Sequence, residues 1–67
     1  METGSPNLRG VRVRGFDERD YIVLANFGAT EERTELPVER DLAIGEMFAG
    51  RSVIIIGPDE AKVFLAR

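Results

Sequence analysis

Residues 21–27 read Tyr-Ile-Val-Leu-Ala-Asn-Phe, an uncharged run held between Asp20 and Gly28. Tyr21, Ile22, Val23 and Phe27 are β-branched or aromatic, the types that fit a pleated, half-buried surface. The run is too short for an average helix and the right length for a strand. It is expected to form a central strand with both faces covered. Asn26 is its odd member, a polar residue among apolar ones.

The rest of the chain arranges itself around this run. Residues 1–7 are small, polar and broken by Gly4 and Pro6, and are expected to form a disordered tail. Residues 8–67 then make a single β domain. Residues 8–16 alternate, with Val11 and Val13 on one face and Arg12 and Arg14 on the other, as in a half-buried strand. A charged hairpin connection (Asp17, Glu18, Arg19, Asp20) leads into the central strand. Gly28 and Ala29 reverse the chain into residues 30–36, whose charges mark an edge strand. Pro37 ends that strand.

Residues 38–48 read as a short strand and a loop. Asp41 is placed to cap a turn, and Gly45 stops any helix from extending. Residues 51–56 form a second strongly β run. The Gly57-Pro58-Asp59-Glu60 turn follows, then a final strand over residues 61–67. Five or six strands with short connections and no long helix make an all-β, antiparallel Greek-key sandwich, with a small β barrel as the alternative. Its two inner faces are expected to bury Val11, Val13, Ile22, Leu24, Phe27, Val53, Ile55, Val63 and Leu65.

Size bounds what such a domain can do alone. A 7.5 kDa chain is expected to expose roughly 4,200 Å² when folded, against about 11,000 Å² unfolded. Burying that difference contributes on the order of 100 kcal/mol, and ordering the chain costs a similar amount. Small domains usually add disulfides, a metal or a partner. The chain has no Cys and no His, so a partner surface or self-association is the remaining support.

The net charge of −3 lacks the basic excess typical of nucleic-acid binders. The Arg9-Gly10 and Arg14-Gly15 pairs therefore read as a solvated strand face with bends rather than as RNA contacts. No apolar run reaches the ~18 residues of a membrane span, nor is there a signal-peptide core near the start. No nucleic-acid or membrane partner is expected, and the absence of Cys fits a cytoplasmic setting.

No residue pattern points to catalysis. Residues 45–52 have the Gly spacing of a phosphate-binding loop, but Arg51 stands where Lys belongs and a strand follows instead of a helix. Met47 and Phe48 read as core. The 12 carboxylates fall in turns and on a charged strand, where solvated side chains normally lie. Without His there is neither a hydrolase base nor the commonest zinc ligand. There is no Trp, and Phe16, Phe27, Phe48 and Phe64 read as core, which leaves at most weak glucan contact. No catalytic, cofactor-binding or metal-binding residue is expected, and no cofactor.

The order of the pieces resembles a known family. An Arg-bearing strand (Val11, Arg12, Val13, Arg14, Gly15), an acidic turn and the Tyr21 to Gly28 run, marked by Asn26-Phe27, are similar to the C-terminal β domain (domain C) of the α-amylase superfamily, glycoside hydrolase family thirteen. The polar strand over residues 30–36 resembles that domain's next strand. Val53 to Gly57, the Pro58 turn and Lys62 to Leu65 resemble its ending. The resemblance implies a Greek-key sandwich attached after a catalytic barrel. The family's nucleophile and acid belong to that barrel, and none of the barrel motifs occurs here. The implied role is a non-catalytic accessory domain that packs against a barrel. A self-associating module and a weak glycan-binding module are the alternatives.

Overall fold

The computed structural model describes residues 1–67 and contains six strands and no helix. They are β1 (Leu8–Arg14), β2 (Asp20–Asn26), β3 (Glu32–Leu36), β4 (Val38–Asp41), β5 (Ser52–Ile56) and β6 (Ala61–Ala66). A four-stranded sheet runs β1-β2-β6-β4 and a two-stranded sheet pairs β3 with β5. All pairings are antiparallel. The fold is an all-β sandwich in which the chain passes back and forth between layers. The exposed area, 4364 Å², is close to the value expected from mass.

Cross-strand partners share a sheet face, so the register assigns each side chain. Ile22 stands opposite Phe64, and Val38 opposite Ala66. These point inward with Leu8 and Leu24. The two-stranded sheet meets them with Leu36, Ile54 and Ile56. Gly10, on the inner face of β1, leaves the space that Leu24 and Met1 occupy. Phe48 packs on this core, its ring edge-on to Phe64 at 6.2 Å between centroids.

The core differs from the expected one in its choice of faces. Ile22, Leu24 and Leu65 are buried, but Val11, Val13, Phe27, Val53, Ile55 and Val63 are exposed. In β5 the inward pair is Ile54 and Ile56. In β6 it is Phe64 and Ala66, while Leu65 is buried on the opposite side, in register with Tyr21 and Arg40. In β1, Leu8 and Gly10 set the inner face. Arg12 and Arg14 continue that face past the core, where both pair with Asp20 at 2.9 and 2.8 Å. Such exposed pairs add little to stability. Met47 is also exposed, and Phe48 half-buried.

Three connections carry the topology. Pro37 moves the chain from β3 in one sheet to β4 in the other, with Leu36 and Val38 both turned inward. Arg67 N–H holds this corner by donating to Pro37 O at 2.8 Å. After β4, Asp41 caps a tight turn: its Oδ1 accepts from Ala43 N–H at 2.9 Å and its carbonyl from Gly45 N–H at 2.8 Å. The buried carboxylate thereby supplies an acceptor to the Ala43 and Ile44 amides as the chain turns out toward solvent.

The β1–β2 hairpin has a three-residue loop, Phe16, Asp17 and Glu18, closed by Gly15 N–H donating to Arg19 O at 2.8 Å. Its last residue, Glu18, sits at φ 64°. Hairpins of this length place a left-handed residue there, and Gly adopts that conformation without steric cost. Glu18→Gly is therefore expected to raise stability by about 0.5–1 kcal/mol. Urea denaturation would read this as a higher midpoint at unchanged slope.

Residues 1–7, read above as a disordered tail, lie along the open side between β1 and β3. Thr3 Oγ1 donates to Leu8 O at 2.7 Å, and Thr34 Oγ1 donates to Thr3 O at 2.8 Å. The Ser5 hydroxyl bonds the Glu32 carboxylate. Phe27 N–H donates to Asn7 O at 2.9 Å.

Candidate interaction surface

The outward face of the four-stranded sheet is built by register. Val11 of β1, Val23 of β2 and Val63 of β6 stand side by side in one row. Val13, Tyr21 and Leu65 form the next row, which ends at Arg40 of β4. Arg9, Ala25 and Ala61 form a third. Val11, Val13, Val23 and Val63 are 54, 43, 37 and 39% exposed, so nothing in the chain covers them. The central strand is thus covered on its inner face only. Solvated antiparallel sheet faces are ordinarily polar; here the middle of the face is apolar and the charges lie at its ends.

Tyr21 gives this face its one hydroxyl. The phenol bonds the Asp17 carboxylate in the hairpin loop, which also accepts from Arg19 N–H at 3.1 Å. The Tyr21 hydroxyl, then the Arg19 amide, hold the Asp17 carboxyl below the usual carboxylate range. The same carboxylate pushes the Tyr21 phenol above its ordinary value. Both shifts favour the neutral phenol beside the ionised carboxylate. The pair's contribution is whole between the two ordinary values. It fades as pH falls through the lowered Asp17 pKa or rises through the raised Tyr21 pKa. Arg19 then reaches across to Glu39 of β4, with Nη2 and Oε2 2.7 Å apart.

Asn26, the polar residue in the central run, stands at the other end of β2 and is buried. Its Nδ2 donates to Thr30 O at 2.9 Å and to Ile56 O at 3.0 Å. Its Oδ1 accepts from Gly28 N–H at 2.8 Å. It ties the first sheet to β5 of the second and closes the connection leading to β3. Its role is structural.

A cleft of about 210 Å³ opens on the side of β5 away from β3. Phe48, Phe64 and Ile54 line it with Ile44, and Asp41, Glu46 and Lys62 bring charge to it. The loop with phosphate-loop spacing forms one side. Gly45 and Gly50 take φ of 74° and 60°, and the chain enters β5 directly afterwards. No helix N-terminus is present to supply a cradle of amides. Arg51 is spent on Glu35, at 3.3 Å.

The two most exposed aromatic side chains do not sit together. Phe16 and Phe27 are exposed, contrary to the core role expected of them. They lie beyond opposite ends of β2, which at about 3.3 Å per residue puts roughly 20 Å between them. The carboxylates are dispersed, with no three placed to hold one metal ion.

The chain matches no family model, and no curated protein or solved structure matches it at a stringent level of significance.

Proposed function

We propose that this chain is a non-catalytic β-sandwich module that works by docking, with the Val11–Val23–Val63 row and its neighbours Val13 and Tyr21 as the contact face. The exposed apolar centre of the four-stranded sheet carries this reading. Large contiguous exposed apolar patches rimmed by polar residues mark interaction surfaces, and a domain this small gains stability from whatever binds only its folded form. The resemblance to domain C of the α-amylase superfamily supports one partner, the catalytic barrel of an α-glucan-active enzyme. In that role the module shields the barrel's flank and takes no part in the reaction.

The test uses the catalytic barrel of an α-amylase-type enzyme stripped of its own C-terminal domain. On titration into the labelled chain, amide shifts are expected on β1, β2 and β6 around Val11, Val23 and Val63. Val23→Lys is expected to weaken binding at least about tenfold, since it buries an unpaired charge at the centre of the contact. Shifts confined to other strands would overturn the reading. Turnover of maltooligosaccharides by the chain alone would do the same.

A further inference from the structure

A sandwich of two open sheets has four edges, and three of them are occupied or charged. The β4 edge is covered by the following loop: Met47 bridges Arg40, and Phe48 N–H donates to Glu39 O at 2.9 Å. Residues 1–5 run between the edges of β1 and β3. The terminal amine of Met1 donates to Gly10 O at 3.2 Å, and Thr3 bonds Leu8 and Thr34 as described. Both strands also carry charges, Arg9, Arg12 and Arg14 on one and Glu32, Arg33 and Glu35 on the other. Charges on an edge oppose pairing with another chain.

Strand β5 itself carries neither protection; Ile44, Glu46 and Phe48 line the far side of the cleft beside it without bonding its backbone. Ser-Val-Ile-Ile-Ile holds no charge, no Pro and no Gly. Apart from the Asn26 bond to Ile56 O, backbone hydrogen bonds of this strand run only to β3. Its outward side chains, Val53 and Ile55, are 55 and 40% exposed. Beside it the sandwich is open along the cleft.

We infer that β5 pairs with β5 of a second copy, antiparallel about a two-fold axis through Ile54, joining the two small sheets into one of order β3-β5-β5-β3. The strand is self-complementary in this register. Ile54 faces its own copy, Val53 faces Ile55, and Ser52 faces Ile56, so every pairing except the last is between β-branched residues. Charge agrees with this arrangement. Arg33 is the cross-strand neighbour of Ile55, and Glu35 of Val53. Across the joined sheet each outer row reads Arg33, Ile55, then Val53 and Glu35 of the second copy. Opposite charges stand at the two ends of each apolar row, and within these rows no like charges meet. The same operation on β1, centred on Val11, would set Arg9 against Val13 and bring Arg12 opposite Gly10 of the copy, under a rim already held by Met1. A five-residue pairing is small for an interface, so the dimer is a weak one, expected to form on the order of millimolar rather than nanomolar concentration. The inference stands apart from docking of the four-stranded sheet, which uses other residues.

The experiment is sedimentation of the whole chain up to about 1 mM, with isotope-filtered NMR on a mixture of labelled and unlabelled protein. The wild type is expected to dimerise with concentration and to show intermolecular contacts between Val53 and Ile55. Ile55→Lys, an exposed position outside the core, puts two like charges near the axis and is expected to raise Kd about a hundredfold. Val23→Lys is expected to leave Kd within a factor of about three. The inference is overturned by a strict monomer at 1 mM, by a dimer that survives in folded Ile55→Lys, or by intermolecular contacts at Val11, Val23 and Val63. The wild-type contacts decide the matter even where a variant does not fold.

Discussion

Phe64→Ala is expected to destabilise the chain by about 3–5 kcal/mol, a large part of what holds it folded at 25 °C. The ring is fully buried and belongs to β6, the strand on which both β2 and β4 form their ladders. It stands opposite Ile22 on one side and Asp41 on the other. Its edge contact with Phe48 anchors the loop that leads to β5. A neighbourhood made of strands tied by hydrogen bonds cannot collapse far into the vacated space, so the cavity term is felt nearly in full. A domain of this size has roughly 3–10 kcal/mol in hand. Far-ultraviolet circular dichroism and urea denaturation check the outcome. A loss under about 1 kcal/mol would show that the sandwich does not depend on this ring.

Asn26→Leu is expected to cost about 2–4 kcal/mol, although it makes the central run uniformly apolar and keeps the branching of the side chain. Three polar groups lose their partner at once: Gly28 N–H, Thr30 O and Ile56 O. Ile56 O loses its partner in the interior and the other two at its margin, and an acceptor left unpaired in the interior costs more than the net value of its bond. Asn26→Asp keeps an acceptor for Gly28 but turns a carboxylate toward two carbonyl oxygens. Its deficit relative to wild type is expected to shrink as the pH is lowered and the carboxyl takes up a proton. Denaturation at pH 7 and pH 4.5 separates the two variants. An Asn26→Leu protein as stable as the parent would show that these bonds only replace equally good ones to water.

The positions of the strands could be read from the residues; their faces only in part. The uncharged run over residues 21–27, the β-branched run before Gly57 and the turns at Gly28 and Pro58 place β2, β5, β6 and their connections within a residue or two. Orientation was legible where apolar and polar residues alternate against a known reference, as at Ile22 and Leu24. In β5 four consecutive β-branched residues offer no alternation, and only the pairing with β3 turns Ile54 and Ile56 inward. In β1 the alternation of Val11 and Val13 with Arg12 and Arg14 is real. It shows that the faces differ, not which one meets the second sheet, and Leu8 with Gly10 decides that. The outer row of valines therefore appears only once register is known. Asn26 is conspicuous in sequence, whereas its partners at Thr30 and Ile56 come together through long-range folding. Residues 1–7 carry no hydrophobic pattern, and their contacts with Leu8 and Thr34 run through backbone carbonyls, which composition cannot report.

One feature of the connectivity reaches into kinetics. Only the β1–β2 hairpin joins strands adjacent in the chain; β2 must find β6, and β3 must find β5, across long intervening segments. Closing such loops loses entropy before any contact repays it, so this small protein should refold in milliseconds to seconds, far from the microsecond range of helical bundles of similar size. During that interval β5 is without its partner, and the most hydrophobic strand of the molecule is then the one most exposed to premature intermolecular association.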